Sequence, residues 1–158
     1  MGIIFSNKCE LAIKAVLYLS VLDKDNRVSV RDLSEKMGIF KDFTAKVLQQ
    51  LVVAGIVSSK QGKKGGFYLA RDLEDILLIE IVKAIDGNAL FEKCLLGFPG
   101  CGTCVACPVH DKWGGIRGQI EEMLSTRSLA ELKPTTVKKL LEMILGDCEK
   151  IPSWGCQG

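Results

Sequence analysis

The chain has 158 residues, 47% of them hydrophobic, with a formal net charge of +2 at pH 7. That length fits one domain plus an appendage, or a protomer that completes its core by dimerising. No apolar run reaches the roughly 18 residues that span a bilayer, and no secretory leader pattern opens the chain. A soluble, cytoplasmic protein without a membrane partner is therefore expected, and the positions of the basic residues must decide whether it binds nucleic acid.

Residues 9–22 carry apolar side chains at helical spacing, which predicts a buried first helix. A polar turn, Asp23 to Arg27, follows. Ser29 and Asp32 form a capping signal for a second helix with Leu33 and Met37 facing inward. Gly38 ends it, because Gly accepts the left-handed turn that stops a helix. A third helix is predicted over 41–53, with Phe43, Val47, Leu48 and Leu51 on one face. Two short helices joined by a Gly-containing turn make a helix-turn-helix whose second member is the recognition helix. Ile56–Lys60 and Phe67–Ala70 read as strands around a glycine-rich turn, a β-hairpin wing. Residues 73–85 predict a further helix, ended by Asp86 and Gly87.

A cysteine-rich stretch comes next. Val109, Trp113, Ile116, Ile120 and Met123 then form a near-heptad stripe suited to a helix packed on a partner helix. Gly114, Gly115 and Gly118 would weaken that helix by roughly 1 kcal/mol each against Ala, which points to close backbone approach or kinking. A last helix is expected over 134–145, with Pro134 in its first turn. The fold class is mainly α with a small β-hairpin wing: a winged helix-turn-helix plus a long dimerisation helix. The expected division is a DNA-binding domain over 1–87, a cysteine loop over 88–108, dimerisation and C-terminal helices over 109–146, and a tail over 147–158.

Basic residues fall where a winged helix meets phosphate. Lys41 and Lys46 lie on the recognition helix, and Lys60, Lys63, Lys64 and Arg71 on or beside the wing. Such contacts position the protein, while base edges are read by the exposed side of the helix: Asp42, Thr44, Ala45 or Gln49.

Seven cysteines is a high and odd number for a disulfide framework, and clustered thiols in a reducing compartment are more often metal-binding or redox-active. Four of them, Cys94, Cys101, Cys104 and Cys107, share a glycine-rich stretch with the chain's single histidine, His110. Gly97, Gly100 and Gly102 permit a tight backbone whose amides can face sulfur. The run from Cys101 to His110 is closer to a ferredoxin run than to the separated pairs of a zinc finger. An Fe–S cluster, 2Fe–2S or 4Fe–4S, is expected, with zinc as the alternative. No nucleophile–base pair or phosphate loop is present, so an enzyme is not expected.

These segments together resemble the IscR and NsrR type of small bacterial winged-helix regulators, over about residues 1–130. The resemblance lies in Phe5 to Leu19, Val30 to Ile39, Leu48 to Ser59, the glycine-rich wing from Gly62 to Leu69, and Ile79 to Asp86. It implies a homodimer that binds a palindromic operator in double-stranded DNA, most often as a repressor, and senses iron, redox state or nitric oxide. It maps the family's three cluster cysteines onto Cys94, Cys101 and Cys107, with Cys104 as an extra thiol or alternative ligand. The fourth ligand it implies is His110, or Glu10 reaching across the dimer. Cys9 is expected to be a small core residue. The chain departs from the family pattern at Phe40, Ala45, Gln61 and Lys63, so its base recognition is expected to be its own. The resemblance also extends to clusterless members, so the alternative function is a clusterless or zinc-binding winged-helix regulator controlled by a partner enzyme.

Overall fold

Ser6 starts the first helix, α1 (Asn7–Val21), by accepting from the Cys9 amide, and is itself held by the Asp86 carboxylate. The structure, a computed structural model, describes residues 4–23, 26–98 and 107–145. α1 packs against most of the fold, burying Leu11, Ala12, Ala15, Val16 and Leu19.

The helix-turn-helix forms as expected. Ser29 accepts from the Asp32 amide at 3.1 Å and opens α2 (Val30–Met37). Gly38 at φ 65° closes it, and the Ile39 amide reaches back to the Ser34 carbonyl at 3.0 Å. α3 (Lys41–Val53) then seats Val47, Leu48 and Leu51 in the core.

The hairpin pairs β1 (Val57–Lys60) with β2 (Gly66–Leu69) antiparallel, Val57 opposite Leu69 and Lys60 opposite Gly66. Val28 adds a short third rung by exchanging hydrogen bonds with Phe67 at 3.0 and 2.8 Å. That rung explains Gly66. A Cβ there would lie 2.8 Å from the Val28 carbonyl oxygen, and φ is 146°. Side-chain-bearing residues pay for both.

The helix expected over 73–85 is broken. Leu73–Asp75 is a single 3₁₀ turn, and α4 runs Leu78–Asp86. Between them Ile76 and Leu77 are extended because their backbone pairs with residues 127–129. Leu129 donates to the Ile76 carbonyl at 3.0 Å, and Leu78 to that of Arg127 at 3.1 Å. α5 (Ala89–Glu92) is one turn, and α6 runs His110–Ser125. α7 (Leu129–Leu145) begins five residues before the expected start. Ser128 and Glu131 cap it reciprocally, so Pro134 lies inside the helix and removes a donor from its ladder.

One apolar cluster joins α1, α2, α3, the hairpin, α4 and Leu129 of α7. A second gathers Cys9, Ile79, Val82, Phe91 and Leu124, and so unites α1, α4, α5 and α6. α6 divides its stripe accordingly. Ile120 packs on this second cluster, whereas Ile116 and Met123 are 51% and 53% exposed. Gly114, Gly115 and Gly118 meet nothing within 4 Å at their Cβ positions, so the expected close approach is not made within the chain. No described helix is long and apolar enough to cross a membrane.

Candidate nucleic-acid interface and thiol site

The outward face of α3 presents Lys41, Asp42, Lys46 and Gln49 to solvent, with Ala45 half-buried. The tip of the wing exposes Lys60, Gln61, Lys63 and Lys64. Positive side chains on two adjacent elements suit a duplex whose phosphates run beside the groove that a recognition helix enters.

Two expectations about this face are corrected. Thr44 is fully buried, and its hydroxyl donates to the Phe40 carbonyl at 3.2 Å, so it does not stand on the exposed side of the helix. Arg71 is spent within the fold. Its guanidinium donates to the Gly55 carbonyl at 3.3 Å, to the Asp75 carbonyl at 2.9 Å and to the Glu80 carboxylate. Glu80 in turn accepts from the Leu77 amide that begins α4, so Arg71 ties the end of the recognition helix to α4. Arg27, which the sequence places in a plain polar turn, is held against the hairpin: its guanidinium lies 5.3 Å from the centre of the Tyr68 ring on β2.

The thiol site lies between α5 and α6. Cys94 follows the short α5 and is 9% exposed; Cys107 stands just ahead of α6 and is half-buried. Each opens a tight turn. The Gly97 amide donates to the Cys94 carbonyl at 3.1 Å, and the His110 amide to the Cys107 carbonyl at 2.9 Å. The Trp113 indole, one turn into α6, donates to the Lys93 carbonyl at 3.1 Å and fastens the two segments together. The result is a Cys94 Sγ to Cys107 Sγ distance of 3.6 Å.

That separation is chemically informative. A disulfide needs about 2.05 Å. Two thiolates bound to one tetrahedral metal at about 2.3 Å each lie about 3.8 Å apart. At 3.6 Å the two thiols are in hydrogen-bonding contact, a spacing that two thiolates on one metal would also have. His110 begins α6 and Glu10 lies half-buried on α1, yet neither completes a set of three possible ligands with the pair among the described residues. Cys101, Cys104, Cys148 and Cys156 lie outside the described residues.

Cys9 is fully buried, as expected of a core residue. Burial, reinforced by the Asp86 carboxylate, pushes its thiol up to about 12. It stays protonated at neutral pH. It shares the second apolar cluster with Phe91, three residues before Cys94.

The family model described as "Rrf2: Iron-dependent Transcriptional regulator" matches residues 5–135. A putative HTH-type transcriptional regulator of Aquifex aeolicus (strain VF5) is 32% identical over 142 residues, 89% of this chain and 92% of that protein. The HTH-type transcriptional regulator IscR of Photorhabdus laumondii is 30% identical over 127 residues, 80% of this chain and 77% of that protein. Among solved structures, T. potens IscR superposes with a TM-score of 0.69 at 23% identity, over 88% of this chain and 92% of that one. CymR (YrzC), the global cysteine regulator of B. subtilis, gives 0.67 at 17% identity, over 83% and 96%. At these identities the structural likeness shows the shared fold.

Proposed function

The chain belongs to the Rrf2 family of DNA-binding transcriptional regulators, and on that premise we propose that it is a dimeric repressor whose grip on a palindromic operator depends on an Fe–S cluster. The observation that carries this reading is the 3.6 Å approach of Cys94 and Cys107 in a chain that also holds a winged helix. Cys94, Cys101 and Cys107 would hold the cluster, with His110 or Glu10 as fourth ligand and Cys104 as an alternative thiolate. When bound, such a cluster supplies a thiolate-ligated centre whose presence depends on iron supply and on oxidants.

The chain's own residues supply the mechanical link. Phe91 roots the segment before Cys94 among Ile79, Val82 and Leu124, and Cys107 leads directly into α6. Holding the two sulfurs together fixes the start of α6 against α4 and α5. From α4, Glu80 and Arg71 continue to the Gly55 carbonyl behind the recognition helix. A bias of about 1.4 kcal/mol along this route changes operator occupancy tenfold.

Ile116 and Met123 remain exposed on α6, beside glycines with open space above them, which favours a second α6 as their cover. A two-fold pair would offer recognition helices to half-sites about 34 Å apart or a multiple of that.

Protein purified without oxygen is expected to be brown, with iron and acid-labile sulfide in equal amounts. The triple variant Cys94→Ser, Cys101→Ser, Cys107→Ser should be colourless. Colourless wild-type protein with stoichiometric zinc overturns the cluster. Unaltered operator binding and regulation in the triple variant would leave a clusterless regulator governed by a partner.

A further inference from the structure

Phe40 stands at the head of α3 with 89% of its surface exposed. It occupies the N-cap position and makes no side-chain capping bond there, where Ser, Thr, Asp or Asn would satisfy a first-turn amide. The fold gains neither a cap nor much packing from the ring. Lys41 and Lys46 are exposed on the same helix with Asp42 between them, and the wing that follows exposes Lys60, Lys63 and Lys64.

In helix-turn-helix proteins the N-terminal residues of the recognition helix meet base edges in the major groove. The apolar feature displayed there is the C5 methyl of thymine, and Phe is among the side chains that contact it. We propose that Phe40 is a specificity-determining residue whose ring packs on a thymine methyl in each half-site. The inference rests on α3 entering the groove, and is independent of any cluster.

The residue is held for the task. The amide and hydroxyl of buried Thr44 both donate to the Phe40 carbonyl, at 3.0 and 3.2 Å, which fixes its backbone and leaves the ring outside. Ala45 is half-buried and too short to reach equally far, and Asp42 and Gln49 offer hydrogen bonds rather than apolar contact.

The test selects duplexes from a random pool with the full-length wild-type protein. Each consensus thymine is then replaced by deoxyuridine, which deletes only the methyl. Wild-type binding should weaken about fourfold at one position per half-site, the worth of one buried methyl group. Phe40→Ser protein should lose that sensitivity, and Phe40→Leu should keep part of it. A wild type indifferent to every replacement, or a Phe40→Ser protein as sensitive as wild type, overturns the proposal. So does a change of oligomeric state in Phe40→Ser, which would assign the ring to a contact between copies. Wild-type protein that binds no duplex at low salt defeats groove entry itself, an outcome distinct from a firm consensus without a methyl effect.

Discussion

Thr44 marks the boundary between the two faces of the recognition helix. It lies three and four residues before Val47 and Leu48 and seven before Leu51, on the stripe those residues bury. The period is legible in the sequence, but the polar residue type argues for the outer face. Thr44→Val should cost about 1 kcal/mol of stability, the worth of one hydroxyl hydrogen bond. It should leave the salt dependence of DNA binding unchanged, which titration at several salt concentrations checks. Cys9 gives a pH test. Its thiol is pushed up to about 12, so the folded state favours the protonated form more than the unfolded chain does. The resulting stabilisation is complete below the ordinary thiol range and is lost as pH rises towards 12. Melting temperatures measured across that alkaline window should fall more steeply for wild type than for Cys9→Ala.

At the scale of elements, local signals succeeded where the chain satisfies its own backbone. The Ser29 cap, the Gly38 stop and the hairpin glycines act within a few residues, so the helix-turn-helix and wing could be read directly. The helix expected over 73–85 failed for the opposite reason. Ile76 and Leu77 pair with a segment some 50 residues away, which no local period records. Pro134 suits a first helical turn, but the Ser128 and Glu131 cap, supported by fully buried Leu129, sets the boundary earlier. The wing supplies two predictions. Gly66→Ala forces a Cβ to 2.8 Å from the Val28 carbonyl and should cost about 2 kcal/mol or more, read in a denaturation curve. Replacing both Lys63 and Lys64 with Ala should lower the slope of log affinity against log salt by about 1.8, if each lysine neutralises one phosphate.

For the whole molecule, two features meet in α6: it begins at the thiol pair and leaves Ile116 and Met123 uncovered. The heptad-like spacing made the second feature legible. The resemblance implies that Cys94 and Cys107 meet, as they do at 3.6 Å, but the Trp113 indole that fastens their segments by reaching the Lys93 carbonyl across a loop was not legible. Met123→Asp should yield a monomer by analytical ultracentrifugation, with palindromic duplex binding reduced to the weak level of a half-site. The central claim, that gathering these sulfurs sets the grip on DNA, is tested by measuring operator affinity of one anaerobic preparation before and after iron chelation, in wild type and in Cys107→Ser. A shift of at least tenfold is expected in wild type and none in the variant. An unshifted wild type, or a variant that shifts equally, would contradict it.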